Sequence, residues 1–194
     1  MAQDAQGQDL TGTSPKAAAL VDEAVRAFTL NYGDPNTYLA EAEAESPECQ
    51  IAELIRIWPL TLSNDPDLLS SARERVAKLD GGAMNERERA HLEALRLAAE
   101  SRWKSAVAIL DRHLMRYPHD LVAHQSAMRL ENFQGLFHRA AGRSAQALPY
   151  WSDSQPGYGI LLSFYGFGLE ESGEYEQSEE ITRTAAELEP YGYW

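Results

Sequence analysis

Five histidines, one cysteine and many carboxylates are the residues of this chain that could do chemistry. His113, His119 and His124 share one helix–turn–helix junction, while His91 and His138 stand apart. A zinc site needs three or four converging ligands, usually His or Cys at short fixed spacings. The steps from His113 to His119 to His124, taken across Pro118, match no such pattern, so no metal is expected. His113 falls in a slot between two helices that normally holds a small residue, and is expected to be a hydrogen-bonded packing residue. Cys49 has no basic neighbour, which predicts an inert, half-buried thiol rather than a nucleophile. No serine occupies a G-x-S-x-G turn between strand and helix. The glycines of "GYGILLSFYGFG" come without the lysine of a phosphate cradle and suit helix packing better. Glu41, Glu43 and Glu45, Glu170 and Glu171, and Glu176, Glu179 and Glu180 read as solvated helix faces rather than an acid/base pair across a cleft. No catalytic residue, cofactor or enzymatic activity is expected.

The basic residues Arg87, Arg89, Arg96, Arg102, Lys104, Arg112 and Arg116 are denser than the rest of the chain. Pairing with nearby Glu and Asp along helices is the expected role, each pair contributing a few tenths of a kcal/mol. Clamping the carboxylate of a bound peptide is the alternative.

The elements that must position these groups follow from composition. With 194 residues and 44% apolar content, one globular domain is expected. The formal charge of −13 disfavours nucleic acid and anionic lipid surfaces by repulsion. No apolar run is long enough for a membrane span, and the polar start "MAQDAQGQDLTGTSP" is no signal peptide. The single cysteine fits a reducing cytoplasm. Residues 1–14 read as a disordered polar leader, and residues 15–194 as one helical-repeat domain.

Helix signals fill that domain. Ala, Leu, Glu and Arg dominate and no strand is predicted. Ser14-Pro15, Asp34-Pro35, Ser46-Pro47 and Asp65-Pro66 pair a capping side chain with a proline at the first helical position. Asn85 with Glu88 predicts a capping box. Helices are expected over 15–31, 35–44, 47–62, 66–79, 85–100, 103–117, 119–133, 135–148, 156–172 and 175–188, with Pro59 kinking or ending the third.

These helices repeat. Stepping back from Gly173 reaches Gly135 and then Ser101, at intervals near the 34-residue period of tetratricopeptide hairpins. Aromatic Tyr175, Phe137 and Trp103 follow these anchors, then small Ser178, Ala140 and Ala106. Ala185, Ala147 and His113 come further on, and Gly166, Met128 and Ala94 precede. The physical reading is a tight reversal at a small anchor, an aromatic plug beneath it, and small residues where two helices approach. The expected architecture is an α-α superhelix of tetratricopeptide-like hairpins, clearest over 85–118, 119–152 and 156–190.

Three further stretches carry a resemblance: the "RER-H" run from Arg87 to His91, the "YP-HD-L-A" junction from Tyr117 to Ala123, and the "LP-W…PGYG…YGFGLEE-G-Y" block from Leu148 to Tyr175. Over residues 65–190 the chain resembles the tetratricopeptide repeat protein 38 family. The resemblance implies an all-helical superhelix without assigned catalytic residues, in a family whose members are generally longer. The last hairpin would then lack its following helix. Tyr191, Tyr193 and Trp194 would either mark an open face, suited to self-association, or fold back over it. The function expected is a non-enzymatic scaffold for a protein or peptide partner; an accessory helical subunit of an enzyme or of a longer repeat protein is the alternative. The first helices of each pair would line the groove, nominating Arg89, Glu93, Arg96, His124, Met128, Arg129, Tyr158, Leu162 and Tyr165, with Tyr193 and Trp194 at the C-terminal end.

Overall fold

The structure, a computed structural model, describes residues 2–63 and 65–191. Among the described residues the chain forms ten α-helices: α1 Pro15–Leu30, α2 Pro35–Glu45, α3 Gln50–Thr61, α4 Pro66–Ala77, α5 Glu86–Ala99, α6 Trp103–Leu114, α7 Leu121–Asn132, α8 Arg139–Ala147, α9 Tyr158–Glu170 and α10 Tyr175–Leu188. The expected caps start several of them. Ser14, Asp34 and Asp65 each accept a backbone N–H from the first turn, and Asn85 with Glu88 closes a reciprocal capping box. Several boundaries differ from the sequence reading, and two involve prolines. Helix α3 begins at Gln50, because Pro47 sits in a turn instead of opening the helix. Pro59 stays inside α3, where so near the C-terminus its missing N–H removes little of the ladder.

Neighbouring helices pack as hairpins, and three of the turns are the same object. Ser101, Gly135 and Gly173 all have positive φ, at 58°, 71° and 82°. In each turn the residue after the anchor donates its N–H to the carbonyl five residues back: Arg102 to Leu97, Leu136 to Glu131, and Glu174 to Leu169. That is the Schellman closure, which satisfies helix-end carbonyls. The positions in register with these anchors are buried: Ala106, Ala140 and Ser178 after them, Ala94 and Met128 before them, and His113, Ala147 and Ala185 further on. The aromatic plug holds in only part of the series. Trp103 packs on Phe133 with ring centroids 5.4 Å apart, but Tyr175 is 70% exposed.

Helix α9 is apolar nearly all round because it has neighbours on two sides, α8 and α10. Its glycines permit that closeness. A Cβ added at Gly168 would overlap the backbone at Ala140 and Ala141, and one added at Gly166 would overlap Thr182.

The expected disordered leader is not what the structure shows. Residues 2–13 form an ordered strap, and Ala2–Gln3 pairs antiparallel with Asp9–Leu10. Leu10 is fully buried, the Thr11 N–H donates to Glu88, and the Gln6 side chain donates to the Pro156 carbonyl. Polar composition misled the sequence reading: this segment is held by hydrogen bonds and charge, which hydropathy does not register. Helix α1 also packs on α7, and Arg26 pairs with Glu189 while Tyr32 stacks on Tyr191 at 5.2 Å. The N-terminal hairpin thus returns to the C-terminal end, and of the three aromatics expected at the stub, Tyr191 folds back. Tyr193 and Trp194 lie outside the described residues. One apolar cluster spans α1 to α7, and a second joins α7, α8 and α9 with Leu30 of α1. Helix α7 belongs to both. No helix among the described residues is long and apolar enough to cross a membrane.

The glycine contacts set opposite expectations at two sites. Gly168→Ala overpacks the α8–α9 contact and is expected to lower unfolding free energy by about 2 kcal/mol or more. Gly142→Ala on α8 meets nothing within 4 Å and should be neutral or stabilise by up to about 1 kcal/mol. Urea denaturation followed by circular dichroism separates the two.

Candidate functional site

The polar groups converge at two places. The first is the carboxylate of Asp120, which is wholly inaccessible to solvent. Asp120 precedes α7 as its cap, and its Oδ1 accepts the Ala123 N–H at 3.0 Å. Its Oδ2 accepts three further bonds: from Arg87 Nε at 2.6 Å, His91 Nε2 at 2.9 Å and His113 Nε2 at 3.0 Å. Arg87 continues outward to Asp4 of the strap at 2.6 Å. Each group arrives by an explicable route. Arg87 and His91 lie one helical turn apart on the buried face of α5, and His113 ends α6 above its turn. The Arg87–His91 run and the Asp120 junction, far apart in sequence, meet here.

His91, His113 and Asp120 place their ligating atoms within 4.8 Å of one another, as a metal site would. Sequence spacing groups His113 with His119 and His124 and sets His91 apart, so it does not reveal this trio. The proton inventory decides how the trio is used. Trp58 Nε1 lies 3.0 Å from His91 Nδ1, and an indole nitrogen can only donate. Nδ1 of His91 therefore carries the lone pair and Nε2 the proton, which points at Asp120. A metal on Nε2 would require an imidazolate or the loss of the Trp58 bond. Asp120 already accepts four bonds, about the capacity of a carboxylate, and Arg87 supplies the positive charge. The cluster is a closed structural network and does not fit a metal.

The electrostatics agree. Burial alone would raise Asp120, but the Arg87 charge and the two histidine bonds outweigh it and hold the group well below the usual carboxylate range. Burial pushes His91 down, against the pull of Asp120. Burial also lowers His124 to about 4, despite its bond to the Pro118 carbonyl. Asp22 goes the other way: burial raises it to about 6, against the Ala5 N–H that it accepts.

The second place is a groove of about 640 Å³ between the end of α6, α7 and α8. Leu114, Met115, Ala147 and Tyr150 give it apolar surface, and Asp111, His124, His138, Arg139 and Arg143 give it polar surface. Helix α8 starts at Arg139, four residues later than the sequence suggests, and His138 of the preceding turn also lines the groove. Gly142 lines the groove without a side chain to fill it. Below, Arg143 donates to Asp111 at 2.9 Å and with both ends of its fork to buried Glu131 at 2.7 and 2.8 Å. The Glu131 that interrupts the apolar pattern of α7 is thus fully engaged.

No protein-family model and no solved structure matches the chain.

The nominated contact residues do not share one face. His124 lines the groove. Met128 and Leu162 are core residues, at 1% and 3% exposure, and so present nothing to a partner. Arg129 lines a smaller cavity of about 270 Å³ beside Phe28, Pro59 and Gln125. Arg89 and Arg96 are exposed but bond the Met84 and Leu79 carbonyls, which ties them to the loop after α4; Glu93 is exposed between them. Tyr158 is half-buried on the second core, and Tyr165 meets the Gln177 side chain at 3.4 Å. The groove residues Met115, Arg139 and Tyr150 were missed. Arg139 and Arg143 at i,i+4 on a short helix of an acidic chain were the available signal.

Asp120→Asn removes the charge that pairs with buried Arg87 and puts an NH2 donor in place of one of the two oxygens on which four donors converge. A loss of about 3–5 kcal/mol is expected in chemical denaturation. A second expectation concerns pH. The unfolded chain protonates His124 near 6.5, the folded protein only near 4, so stability falls as pH drops between those values. Denaturation curves of wild type and His124→Gln across this window should diverge by on the order of 3 kcal/mol, the variant being flatter.

Proposed function

We propose that this chain is a non-enzymatic, tetratricopeptide-type scaffold, akin to the tetratricopeptide repeat protein 38 family, that holds a segment of another protein in the groove between α6, α7 and α8. The observation that carries the reading is the rim of that groove: Met115 is 79% exposed and Tyr150 63% exposed, facing a polar wall. Large apolar side chains exposed beside a concavity are a recurrent mark of a recognition surface. Three equivalent hairpin turns with small residues buried in register support the repeat assignment. The polar cluster best equipped for chemistry, around Asp120, is buried and its acceptors are filled, which favours a structural role for it. Tyr191 is engaged by Tyr32 and Arg26, so the groove takes precedence over self-association through the C-terminal end. In the same reading the protein works in a reducing cytoplasm, with Cys49 a buried thiol that accepts from Thr13.

Gly142 offers a clean test, since a side chain there enters open space. Gly142→Leu should fill the groove while keeping the melting temperature of the wild type. Selection from a random-peptide display library on the wild-type protein should enrich sequences that bind it and not Gly142→Leu. Failure to enrich any, or equal binding of the enriched sequences to both proteins, would overturn the reading.

A further inference from the structure

The groove's wall says which kind of segment it takes. Four charged side chains form it or lie directly beneath: Asp111 and Glu131, Arg139 and Arg143. Their formal charges cancel, in a chain that carries −13 overall. The two arginines are used very differently. Arg143 is buried to 9%, and its Nε and both terminal nitrogens donate to the two carboxylates. Arg139 is 47% exposed; it reaches Glu131 through Nε at 3.2 Å and Asp111 only at 3.8 Å. A guanidinium has five N–H donors, so most of the Arg139 fork remains for an incoming acceptor. A cationic ligand would have to compete with Arg143 for Asp111, whereas an anionic one adds bonds to Arg139 and breaks none.

A second, independent observation comes from His124. His124 is 2% exposed and lines the groove. Its Nε2 donates to the Pro118 carbonyl at 3.1 Å, so Nδ1 carries the lone pair. That nitrogen has no hydrogen-bond partner among the described residues, and burial keeps the ring neutral at physiological pH. It is an acceptor awaiting a donor, such as a backbone N–H of an extended chain.

We infer that the occupant is an extended peptide segment carrying an aspartate or glutamate next to a large apolar residue. The carboxylate takes the open side of Arg139, the apolar side chain lies between Met115 and Tyr150, and a backbone N–H of the segment meets His124. This rests on the groove reading above and narrows it to one ligand chemistry.

Three short fluorescent synthetic peptides test it, identical except for a central Glu, Gln or Lys between Leu and Phe. Fluorescence anisotropy with the full chain at physiological salt should show the Glu peptide binding about tenfold more tightly than the Gln peptide, and the Lys peptide weakest. Arg139→Gln should erase the Glu-over-Gln preference, and Arg139→Glu should make the Lys peptide the best ligand. Melting curves of both variants establish that they fold. Absence of binding by the Glu peptide, equal binding of the Glu and Gln peptides, or a preference for Lys in the wild type overturns this inference. The groove reading stands or falls separately, on the library selection against Gly142→Leu.

Discussion

One oxygen atom, Oδ2 of Asp120, is the point on which the architecture depends. Three donors from two other helices converge on it, and the opposite oxygen caps α7. A carboxylate this deeply buried is tolerable only when its lone pairs are all used, because an unpaired ion in a low-dielectric interior costs several kcal/mol. The requirement propagates. Arg87 supplies the compensating charge, and its second bond, to Asp4, ties the strap to the cluster. Trp58 fixes the His91 tautomer from α3, so the network also ties the early helices to the late ones.

Hairpin stacking alone would join each helix to its neighbours in sequence. The polar network and the strap add connections that skip along the chain, from residue 4 to residue 87 and from 6 to 156. The contact of α1 with α7, with the Arg26–Glu189 pair and the Tyr32–Tyr191 stack, closes the arrangement further. Helix α7 pays for this position with its solvent face. From Leu121 to Leu130, every residue except Arg129 is buried. Three residues nominated for a concave groove, His124, Met128 and Arg129, sit on it, and of these only His124 lines the groove, because α1 packs across another face of α7.

The open surface lies instead beside the short α8. The turn after α7 runs to His138 before α8 begins, and Gly142 leaves the space beside it unfilled. The two carboxylates that could have made this cleft acidic are paired by Arg143 from below and by Arg139 at its edge. The result is a concavity with a polar wall and an apolar rim.

Much of the skeleton was legible in the sequence. Capping residues with a following proline marked helix starts, since those side chains satisfy specific N–H groups within a turn of themselves. The spacing of Ser101, Gly135 and Gly173 marked three reversals, because only residues that tolerate positive φ close a helix that way. Small residues in register predicted buried helix contacts for the same local reason. The strap, the Asp120 network and the groove were not legible. Asp4, Trp58, Arg87, His91, His113 and Asp120 have no common spacing, and their roles exist only once five separate segments meet. Sequence by itself determined the helices and their turns, which are governed by interactions over a few residues. Tertiary structure alone decided which polar groups share a proton inventory and which face stays open, because burial and charge pairing depend on what the folded chain brings together.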